Sequence, residues 1–356
     1  MRERIVVAMS GGVDSSTAAA LLRDSGADVV GVTLKLTDAT GTAASIGGRC
    51  CGPRDIEDAR ATAAALDFPH YVLDQTAAFR GAVIDDFVAE YAAGRTPNPC
   101  VRCNEKLKFG PLVKFAHAVG ARKLATGHYA RLSGEGAGTR LLRARDLDKD
   151  QSYFLFGVPA PVFADVMFPL GDRTKDEVRA LARRFGLPNA DKPDSQQICF
   201  IPDGDHQSFV EARGGAGAPG AIVDETGGEL GRHGGTHRFT VGQRRGVPIV
   251  EGQRRFVLRI EPSSGRVVVG PREALGCRTL RVSDLRWTAG PRPDAWPLRC
   301  AVQIRHHAAA APAWVTAPDA RGCAVELDEP AMGVAPGQAA VFYDGDRVVG
   351  GGWISP

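Results

Sequence analysis

Two cysteines separated by two residues are the sequence feature with the clearest chemical potential. The stretch "NPCVRCNEKLKF" (98–109) places Cys100 and Cys103 directly after a Pro-Asn-Pro turn and just before two lysines. Such a pair is typical of half a zinc site, a redox disulfide, an iron–sulfur ligand pair, or a nucleophile beside an uninvolved neighbour. A third cysteine, Cys199, follows much later in "DSQQICFI". The spacing alone leaves these alternatives open.

The stretch "SGGVDSS" (10–16) is a candidate phosphate-binding loop. It follows the apolar run "RIVVAM" and precedes a segment of helical periodicity, which predicts a strand, a glycine-rich turn and a helix. Gly11 and Gly12 would let backbone amides point at an anion, and Asp14 would suit a magnesium ion shared with phosphates. The loop lacks the Gly-Lys-Ser/Thr ending of a Walker motif. It resembles the S-G-G-x-D-S-S loop of the PP-loop ATPases, which cleave ATP to AMP and pyrophosphate.

The elements around this loop predict its setting. Apolar runs at 28–36, 70–74 and within 121–131 are predicted strands, and the amphipathic stretch 55–69 is a predicted helix. Strands that are apolar on both faces and alternate with helices predict an α/β fold with a doubly wound parallel sheet. Ligands of such sheets bind at the carboxyl ends of the strands.

The second half of the chain has a different texture. Residues 213–235 are rich in glycine and predict loops or a small irregular module. From about residue 255 the segments become short and β-like, with turn signals between them, which predicts a small β-barrel.

Composition limits the classes of protein that fit. A chain of 356 residues exceeds the usual size of one hydrophobic core, so we expect two or three domains. The apolar runs are too short to span a bilayer, and no membrane partner is expected, so the cytoplasm is the default location. In that compartment eight cysteines indicate catalysis or metal binding rather than a disulfide scaffold. The net charge of +3 leaves nucleic-acid binding open.

Several motifs together carry a more specific resemblance. The loop, the cysteine stretches, "ATGHYAR" (125–131), "DLDKDQSYFL" (146–155) and "FTVGQRRG" (239–246) resemble those of the tRNA-specific 2-thiouridylases, in family order. The resemblance implies a PP-loop ATP-binding and catalytic domain over 1–205, followed by two smaller domains. These would be a central tRNA-interacting domain at 206–275 and a C-terminal β-barrel at 276–356.

The reaction that this resemblance implies is a sulfur transfer to tRNA. ATP, with Mg²⁺, would adenylate the C2 oxygen of the wobble uridine in the anticodon arm. Sulfur would then replace that oxygen, with release of AMP and pyrophosphate. A cysteine desulfurase or a relay protein is expected to supply the sulfur.

The resemblance also assigns residues to the two substrates. The nucleotide would lie against residues of the loop and nearby strand ends: Ala8, Ser10, Gly11, Gly12, Asp14, Ser15, Ser16, Leu34, Gly127 and His128. The tRNA would contact polar residues of the later motifs: Lys149, Asp150, Gln151, Gln243, Arg244, Arg245 and Arg305. From chemistry alone, "DLDKDQ" is equally an exposed polar turn before a core segment, His128 could bond the backbone, and the arginines could be ordinary surface residues.

The cysteines depart from the commoner family pattern. Cys103 matches the family nucleophile, which carries sulfur as a persulfide, and Cys199 matches its partner. Many relatives carry an aspartate where this chain has Cys100. Three thiolates can hold a 4Fe–4S cluster with one iron open to bind sulfide, and related RNA thiolases use one. We therefore predict a cluster on Cys100, Cys103 and Cys199, with the Cys103 persulfide or a structural zinc as alternatives.

Cys50 and Cys51 are predicted to be buried small side chains.

A PP-loop ligase of the argininosuccinate synthetase type would have no need for three spaced cysteines. A nucleotide-binding RNA-interaction protein without turnover would release no pyrophosphate when tRNA is added.

Overall fold

The computed structural model describes most of the chain, namely residues 2–37, 52–194, 198–201, 204–250, 252–288 and 293–356. Cys50 and Cys51, for which burial is predicted, lie outside the described residues. None of the helices in these ranges combines the length and apolar character that crossing a bilayer requires.

The strands of the described ranges lie in all parts of the chain. In chain order they are β1 Arg4–Ala8, β2 Asp28–Lys35, β3 His70–Asp74, β4 Lys123–Thr126, β5 Arg131–Ser133, β6 Arg140–Leu142, β7 Val166–Met167, β8 Gly220–Val223, β9 Glu229–His233, β10 Ile249–Val250, β11 Gln253–Arg254, β12 Phe256–Glu261, β13 Arg266–Gly270, β14 Gly276–Trp287, β15 Leu298–Gln303, β16 Ala311–Val315, β17 Cys323–Met332, β18 Ala339–Asp344 and β19 Arg347–Ile354.

The α-helices of the same ranges lie in the first two thirds of the chain. They are α1 Val13–Asp24, α2 Pro53–Ala65, α3 Thr76–Phe79, α4 Asp85–Ala92, α5 Pro99–Cys103, α6 Phe109–Ala118, α7 Ser152–Leu155, α8 Lys175–Arg184 and α9 His206–Glu211. Two π-helical turns, Arg80–Ile84 and Asn104–Lys108, connect α3 to α4 and α5 to α6.

A parallel sheet in the order β3-β2-β1-β4-β7 forms the N-terminal part. Successive side chains of β1 point to opposite faces, as the strand geometry requires. Ile5 and Val7 pack on one face with residues of α1 and α2, including Ala19 and Ala59. Val6 packs on the other face with residues of α3 to α6. Helices therefore cover both faces, which confirms the predicted doubly wound fold.

The central part contains a sheet in the order β12-β13-β8-β9. The prediction of loops or an irregular module at 213–235 is wrong for β8 and β9, which form an antiparallel pair there with one register shift at Ile222–Val223. On its other edge β8 pairs in parallel with β13, which aligns Ile222 with Val267. That partner lies far along the chain, so the local glycine content could not reveal it. The strands β12 and β13, predicted from their texture to begin a barrel, belong to this sheet instead.

The C-terminal part is a closed antiparallel barrel. Its strands follow the order β14-β17-β16-β15-β18-β19, and β14 pairs again with β19 to close the ring. The hairpin of β5 and β6 adds to this sheet through the register of Leu142 opposite Arg347. The N-terminal part and the barrel are thus joined by one ladder, and the predicted barrel is confirmed.

Candidate active site

The loop between β1 and α1 has the geometry of an anion cradle. Gly11 has a φ of +71°, and a Cβ atom there would lie 2.1 Å from the carbonyl oxygen of Asp55. Only glycine satisfies both conditions. Gly12 is the N-cap of α1, and no side chain caps this helix end. The first-turn amides and the positive end of the helix dipole therefore suit the phosphates of a nucleotide.

The serines of the loop divide into two roles. The amide of Ser10 donates to Ser15 Oγ at 3.1 Å, and the Ser15 hydroxyl donates to the carbonyl of Gly12 at 3.1 Å. Ser16 is buried, and its hydroxyl accepts a 2.8 Å hydrogen bond from Asn189 Nδ2. Ser10 is partly exposed at the cradle, whereas Ser16 fixes the start of α1 against the Asn189 segment.

Three other predicted nucleotide residues lie at the same edge of the sheet or beneath it. A Cβ atom on Gly127 would lie 2.6 Å from the amide nitrogen of Ser15, so glycine lets the end of β4 approach α1 closely. Ala8 ends β1 and is partly exposed, whereas Leu34 on β2 is buried in the core. The structure therefore brings Gly127 and Ala8 to the loop, whereas Leu34, near the carboxyl end of β2, packs in the main core.

Asp14 is held by two side chains from distant segments. The ammonium of Lys175 donates to both of its carboxylate oxygens, at 2.7 and 2.8 Å, and the Tyr129 hydroxyl donates to Oδ1 at 2.9 Å. The carboxylate remains 31% exposed at the cradle. A partly exposed carboxylate beside a phosphate cradle fits a hard oxygen ligand of Mg²⁺.

A second carboxylate, Asp194, gathers three cations next to Asp14. Its oxygens accept from Lys175 at 2.8 Å, from Lys149 at 2.9 Å and from Arg179 at 2.9 Å. Although burial opposes ionisation, the hydrogen bonds from the lysines lower the pKa of Asp194 to about 2. The nucleotide cradle and the "DLDKDQ" segment are therefore linked through charged side chains.

Lys192 braces the cradle from another side. Its ammonium donates to the carbonyl of Gly11 at 3.1 Å, to Asp55 at 2.7 Å and to Asp58 at 2.6 Å. Burial opposes the charged form, but the hydrogen bonds that the ammonium donates to both carboxylates raise the pKa of Lys192 overall. The sequence analysis missed Lys175, Tyr129 and Lys192, because nothing local to them indicates which carboxylate or carbonyl they contact.

His128 lies between aromatic rings beside the cradle. Its Nδ1 is 2.8 Å from the Thr126 hydroxyl, and its ring lies 5.9 Å from Phe109 and 6.1 Å from Phe168. Burial, with the nearby Lys108 charge, lowers the pKa of His128 to about 3. The imidazole is therefore neutral near pH 7, and because Nδ1 is bonded to Thr126, Nε2 is the nitrogen that it can offer to a ligand.

The lowered pKa of His128 predicts a loss of stability in mild acid. Between its folded pKa and the unfolded value of 6.5, the unfolded chain binds the extra proton. The stabilisation is complete above pH 6.5 and is lost as the pH falls, by up to about 2 kcal/mol at pH 5. Urea unfolding at pH 7 and 5 should show a smaller loss for His128→Gln than for the wild type. Equal losses in His128→Gln and the wild type would contradict the prediction.

The Cys-x-x-Cys pair lies on one helical run beside the sheet. Helix α5 begins after Asn98, whose side-chain oxygen accepts from the Val101 amide at 3.4 Å, and it ends at Cys103. The π-helical turn Asn104–Lys108 follows directly, and such turns often occur at functional sites. Cys100 is exposed, whereas Cys103 is 6% exposed. The two thiols therefore meet different environments.

The three predicted cluster ligands are not arranged as a metal site. Cys103 belongs to the main hydrophobic core, and the half-buried Cys199 packs against that same core. Across the ranges that the structure describes, no group of three or more His, Cys, Asp or Glu side chains could hold a metal ion. The residues thus do not fit the predicted 4Fe–4S cluster or a structural zinc. The spacing suggested a shared site, but the fold buries one cysteine of the pair and exposes the other.

The cysteine helix is pinned against the C-terminal barrel. The Arg102 guanidinium lies 3.9 Å from the centre of the Trp353 ring, a cation–π contact. Arg102 also donates to Glu105 at 3.1 Å, and Glu105 lies 3.5 Å from Arg286 of β14. The barrel therefore helps to position Cys103, a role that the sequence did not indicate.

The predicted tRNA residues of "DLDKDQ" have separate roles. Asp150 is 6% exposed, and its carboxylate accepts from Arg143, from the amide of Ala144 and from the amide of Ser152 at the start of α7. The side-chain oxygen of Gln151 accepts from the Tyr129 amide at 2.9 Å. Only Lys149, with 38% of its side chain exposed, is well placed among the three to meet a large ligand.

The other predicted tRNA residues lie at the junction of the central sheet and the barrel. Gln243 is occupied internally, because its side chain donates to the carbonyl of Arg245 at 2.7 Å. Arg244 and Arg245 are exposed. Arg305 reaches this loop from the barrel, since a Cβ atom on Gly242 would lie 3.6 Å from its guanidinium nitrogen. The structure thus brings Arg305 close to the arginine-containing loop.

Models of three protein families match successive parts of the chain. The model described as "tRNA methyl transferase HUP domain" matches residues 3–203. Those described as "tRNA methyl transferase PRC-barrel domain" and "Aminomethyltransferase beta-barrel domain" match residues 207–271 and 277–354. The three matches follow the parallel sheet, the central sheet and the barrel.

Curated proteins from several bacteria are similar over nearly the whole chain. The "tRNA-specific 2-thiouridylase MnmA" of Rhodospirillum centenum is 50% identical, with 99% of this chain and 91% of that protein covered. The proteins of the same name from Paramagnetospirillum magneticum and Geobacter metallireducens are 49% and 48% identical. Each alignment covers 99% of this chain, with 95% and 97% of the respective relatives.

Proposed function

The chain belongs to the family of tRNA-specific 2-thiouridylases, and from that premise we propose that it replaces the C2 oxygen of the tRNA wobble uridine with sulfur. The observation that carries the proposal is the 50% identity over 99% of the chain to such an enzyme. Family membership also implies ATP and Mg²⁺ as requirements. A ligase or a non-catalytic RNA binder has no comparable support.

The first half of the proposed reaction takes place at the cradle. The uridine C2 oxygen attacks the α-phosphate of ATP, and pyrophosphate leaves. The amides at the start of α1 bind the phosphates, and Asp14 would hold Mg²⁺, which supplies charge neutralisation when bound. A single-stranded anticodon loop lets the base enter the cleft with little unstacking cost. His128, neutral beside the loop, would orient nucleotide or base.

The second half uses thiol chemistry. A sulfur donor, such as a cysteine desulfurase or a relay protein, leaves a persulfide on Cys103. Its terminal sulfur attacks C2 and AMP leaves, so that the base is joined to Cys103 through a disulfide. The Cys199 thiolate attacks Cys103 Sγ, which frees the thiolated base and closes a Cys103–Cys199 disulfide. An external thiol must reduce that disulfide before the next turnover.

We propose the thiol route rather than a cluster because of the different settings of the three cysteines. Cys103 and Cys199 share one hydrophobic core, whereas Cys100 is exposed on the opening turn of α5. A metal-bound sulfide would need all three thiolates around one cluster. A persulfide needs only the two core cysteines, with Cys100 as a bystander.

The experiment that tests this route replaces Cys100 by the aspartate found in many relatives. The Cys100→Asp variant should form 2-thiouridine within about threefold of the wild-type rate, measured by mass spectrometry of digested tRNA, since no bond of the route involves Cys100. Wild-type protein purified without oxygen should be colourless and free of iron. Loss of both iron and thiolation in the variant would establish the cluster instead.

A second measurement separates the enzyme from its rivals. Pyrophosphate release should require tRNA that carries the wobble uridine, because that base supplies the attacking oxygen. Release without tRNA but with another acceptor would indicate a ligase. Absence of release with tRNA and a sulfur donor present would indicate a binding protein.

Salt dependence should reveal the contribution of Arg244 to tRNA binding. An exposed arginine that meets a phosphate releases a counterion, so Arg244→Ala should lower the slope of log affinity against log salt by about 1. Affinity at 0.1 M salt should fall roughly tenfold or less. The control, Arg259→Ala, removes an exposed arginine of strand β12 that is paired with Glu261. An unchanged slope for Arg244→Ala, or an equal change in the control, would place the tRNA elsewhere.

A further inference from the structure

Charged side chains from four segments form one connected network between the cradle and the molecular surface. Its members are Asp14 of α1, Lys149 of the "DLDKDQ" segment, Lys175 and Arg179 of α8, and Asp194. Lys175 lies in the middle, bonded to Asp14 at 2.7 Å and to Asp194 at 2.8 Å. Asp194 connects it to Lys149, at 2.9 Å.

Lys175 can redistribute its hydrogen bonds but cannot leave the network easily. Its side chain is only 10% exposed. Its backbone amide donates to Asp146 at 2.8 Å, and the preceding Thr174 caps α8 reciprocally with Glu177. The start of α8 is therefore fixed, and the ammonium can only change how strongly it hydrogen-bonds to Asp14 and to Asp194.

The network contains more cations than carboxylates. Three cations, Lys149, Lys175 and Arg179, share Asp194, and only Lys175 has Asp14 as a second partner. At a partly buried site a cation that loses one carboxylate interacts more strongly with the one that remains. Any event that occupies Asp14 therefore increases the competition for Asp194.

We propose that Asp194 is a shared counter-ion through which ATP binding and tRNA binding favour each other, an inference that rests on the proposed function. When Asp14 turns to the Mg²⁺ that accompanies ATP, Lys175 loses its second partner, binds Asp194 more strongly and so weakens the pair between Asp194 and Lys149. Lys149, 38% exposed, is then available for a tRNA phosphate. By linkage, a phosphate that takes Lys149 frees Asp194 for Lys175 and so favours nucleotide binding.

The test measures tRNA affinity of the full chain with and without a saturating non-hydrolysable ATP analogue and Mg²⁺, at one salt concentration. For the wild type the analogue should tighten binding of an unmodified tRNA transcript by about fivefold or more. Asp194→Asn should bind tRNA tightly in both conditions, because Lys149 no longer has a carboxylate that competes with the tRNA phosphate for its ammonium. Lys175→Met should bind weakly in both, because Lys149 keeps Asp194 throughout.

The matched control is Asp191→Asn, which makes the same charge change close by. Asp191 pairs with Arg183 of the same helix in an exposed contact outside the network. This variant should retain wild-type coupling. Wild-type coupling in both Asp194→Asn and Lys175→Met, or a shift of tRNA affinity in the same direction in the two, would overturn the inference.

Different measurements would contradict the proposed coupling and the proposed thiolation activity. If the wild type thiolates tRNA but its tRNA affinity does not change when nucleotide is added, the coupling is contradicted and the proposed function stands. Absence of thiolation and of tRNA-dependent pyrophosphate release removes the function itself. Because the two variants are expected to change tRNA affinity in opposite directions, general misfolding cannot imitate the expected pattern.

Discussion

Replacing Cys103 by serine should abolish 2-thiouridine formation, lowering the single-turnover rate by at least about a thousandfold. Serine has nearly the size of cysteine, so the 6%-exposed site should stay packed. A hydroxyl cannot hold a transferable sulfur, whereas a thiol can form and release a persulfide. Mass spectrometry of digested tRNA measures the product.

The same variant should still bind tRNA and release pyrophosphate, since adenylation precedes the sulfur step and uses the cradle. Cys277→Ser is the matched control, because Cys277 lies on barrel strand β14 and its thiol contacts the carbonyl of Thr279. The control should thiolate at the wild-type rate. Substantial thiolation by Cys103→Ser, or an equal loss in Cys277→Ser, would remove Cys103 from the role of sulfur carrier.

Replacing Gly11 by alanine should cost more than any other single change in the cradle. The new Cβ atom would lie 2.1 Å from the Asp55 carbonyl oxygen, at a φ of +71° that alanine rarely adopts. The loop and the Asp55 backbone must separate, which also disturbs the contacts of Lys192 with both. We expect ATP affinity to fall by about a hundredfold or more and unfolding free energy by about 2–4 kcal/mol.

A second glycine separates the steric clash from the backbone strain. Gly26, just after α1, has a φ of +89°, and a Cβ atom there would have nothing within 4 Å. Gly26→Ala should therefore lose only about 1 kcal/mol of stability and keep wild-type ATP affinity. Isothermal titration with ATP and urea unfolding provide both quantities. If the two variants behave alike, close packing against Asp55 does not shape the cradle.

The parallel sheet was predictable because its signals are local. Ile5, Val6 and Val7 form a continuous apolar run, and the glycine-rich loop with α1 follows directly. A strand buried on both faces and a helix with 3.6-residue periodicity can each be identified from one short window. The barrel was predictable for the same reason, from short strands with turn signals between them.

The central sheet was less predictable because its pairing is not local. The glycines of 213–235 indicated loops, yet β8 pairs in parallel with β13. Gly220 supports this, since a Cβ atom there would lie 2.0 Å from the carbonyl oxygen of Gly265. Some glycines in this stretch therefore allow two backbones to approach closely. The sequence cannot distinguish such glycines from those of a loop.

Motif membership does not indicate which side chains are already occupied by internal hydrogen bonds. Asp150 and Gln243 belong to motifs predicted to contact tRNA, yet the structure uses both for internal hydrogen bonds. Their neighbours Lys149 and Arg244 are more exposed and better placed for a large partner. A motif fixes residue types in order, whereas the direction of each side chain depends on the packing around it.

By itself the sequence determined the chemistry on offer: a phosphate loop, three spaced thiols and a parallel sheet that would present them. The tertiary structure alone decided how these groups are used. It buries Cys103 and exposes Cys100, and it brings Lys175 to Asp14 across 161 residues. Periodicity and turn chemistry act over a few residues and can be identified locally. Burial and ion pairing depend on which distant surfaces meet, and only the folded chain specifies that.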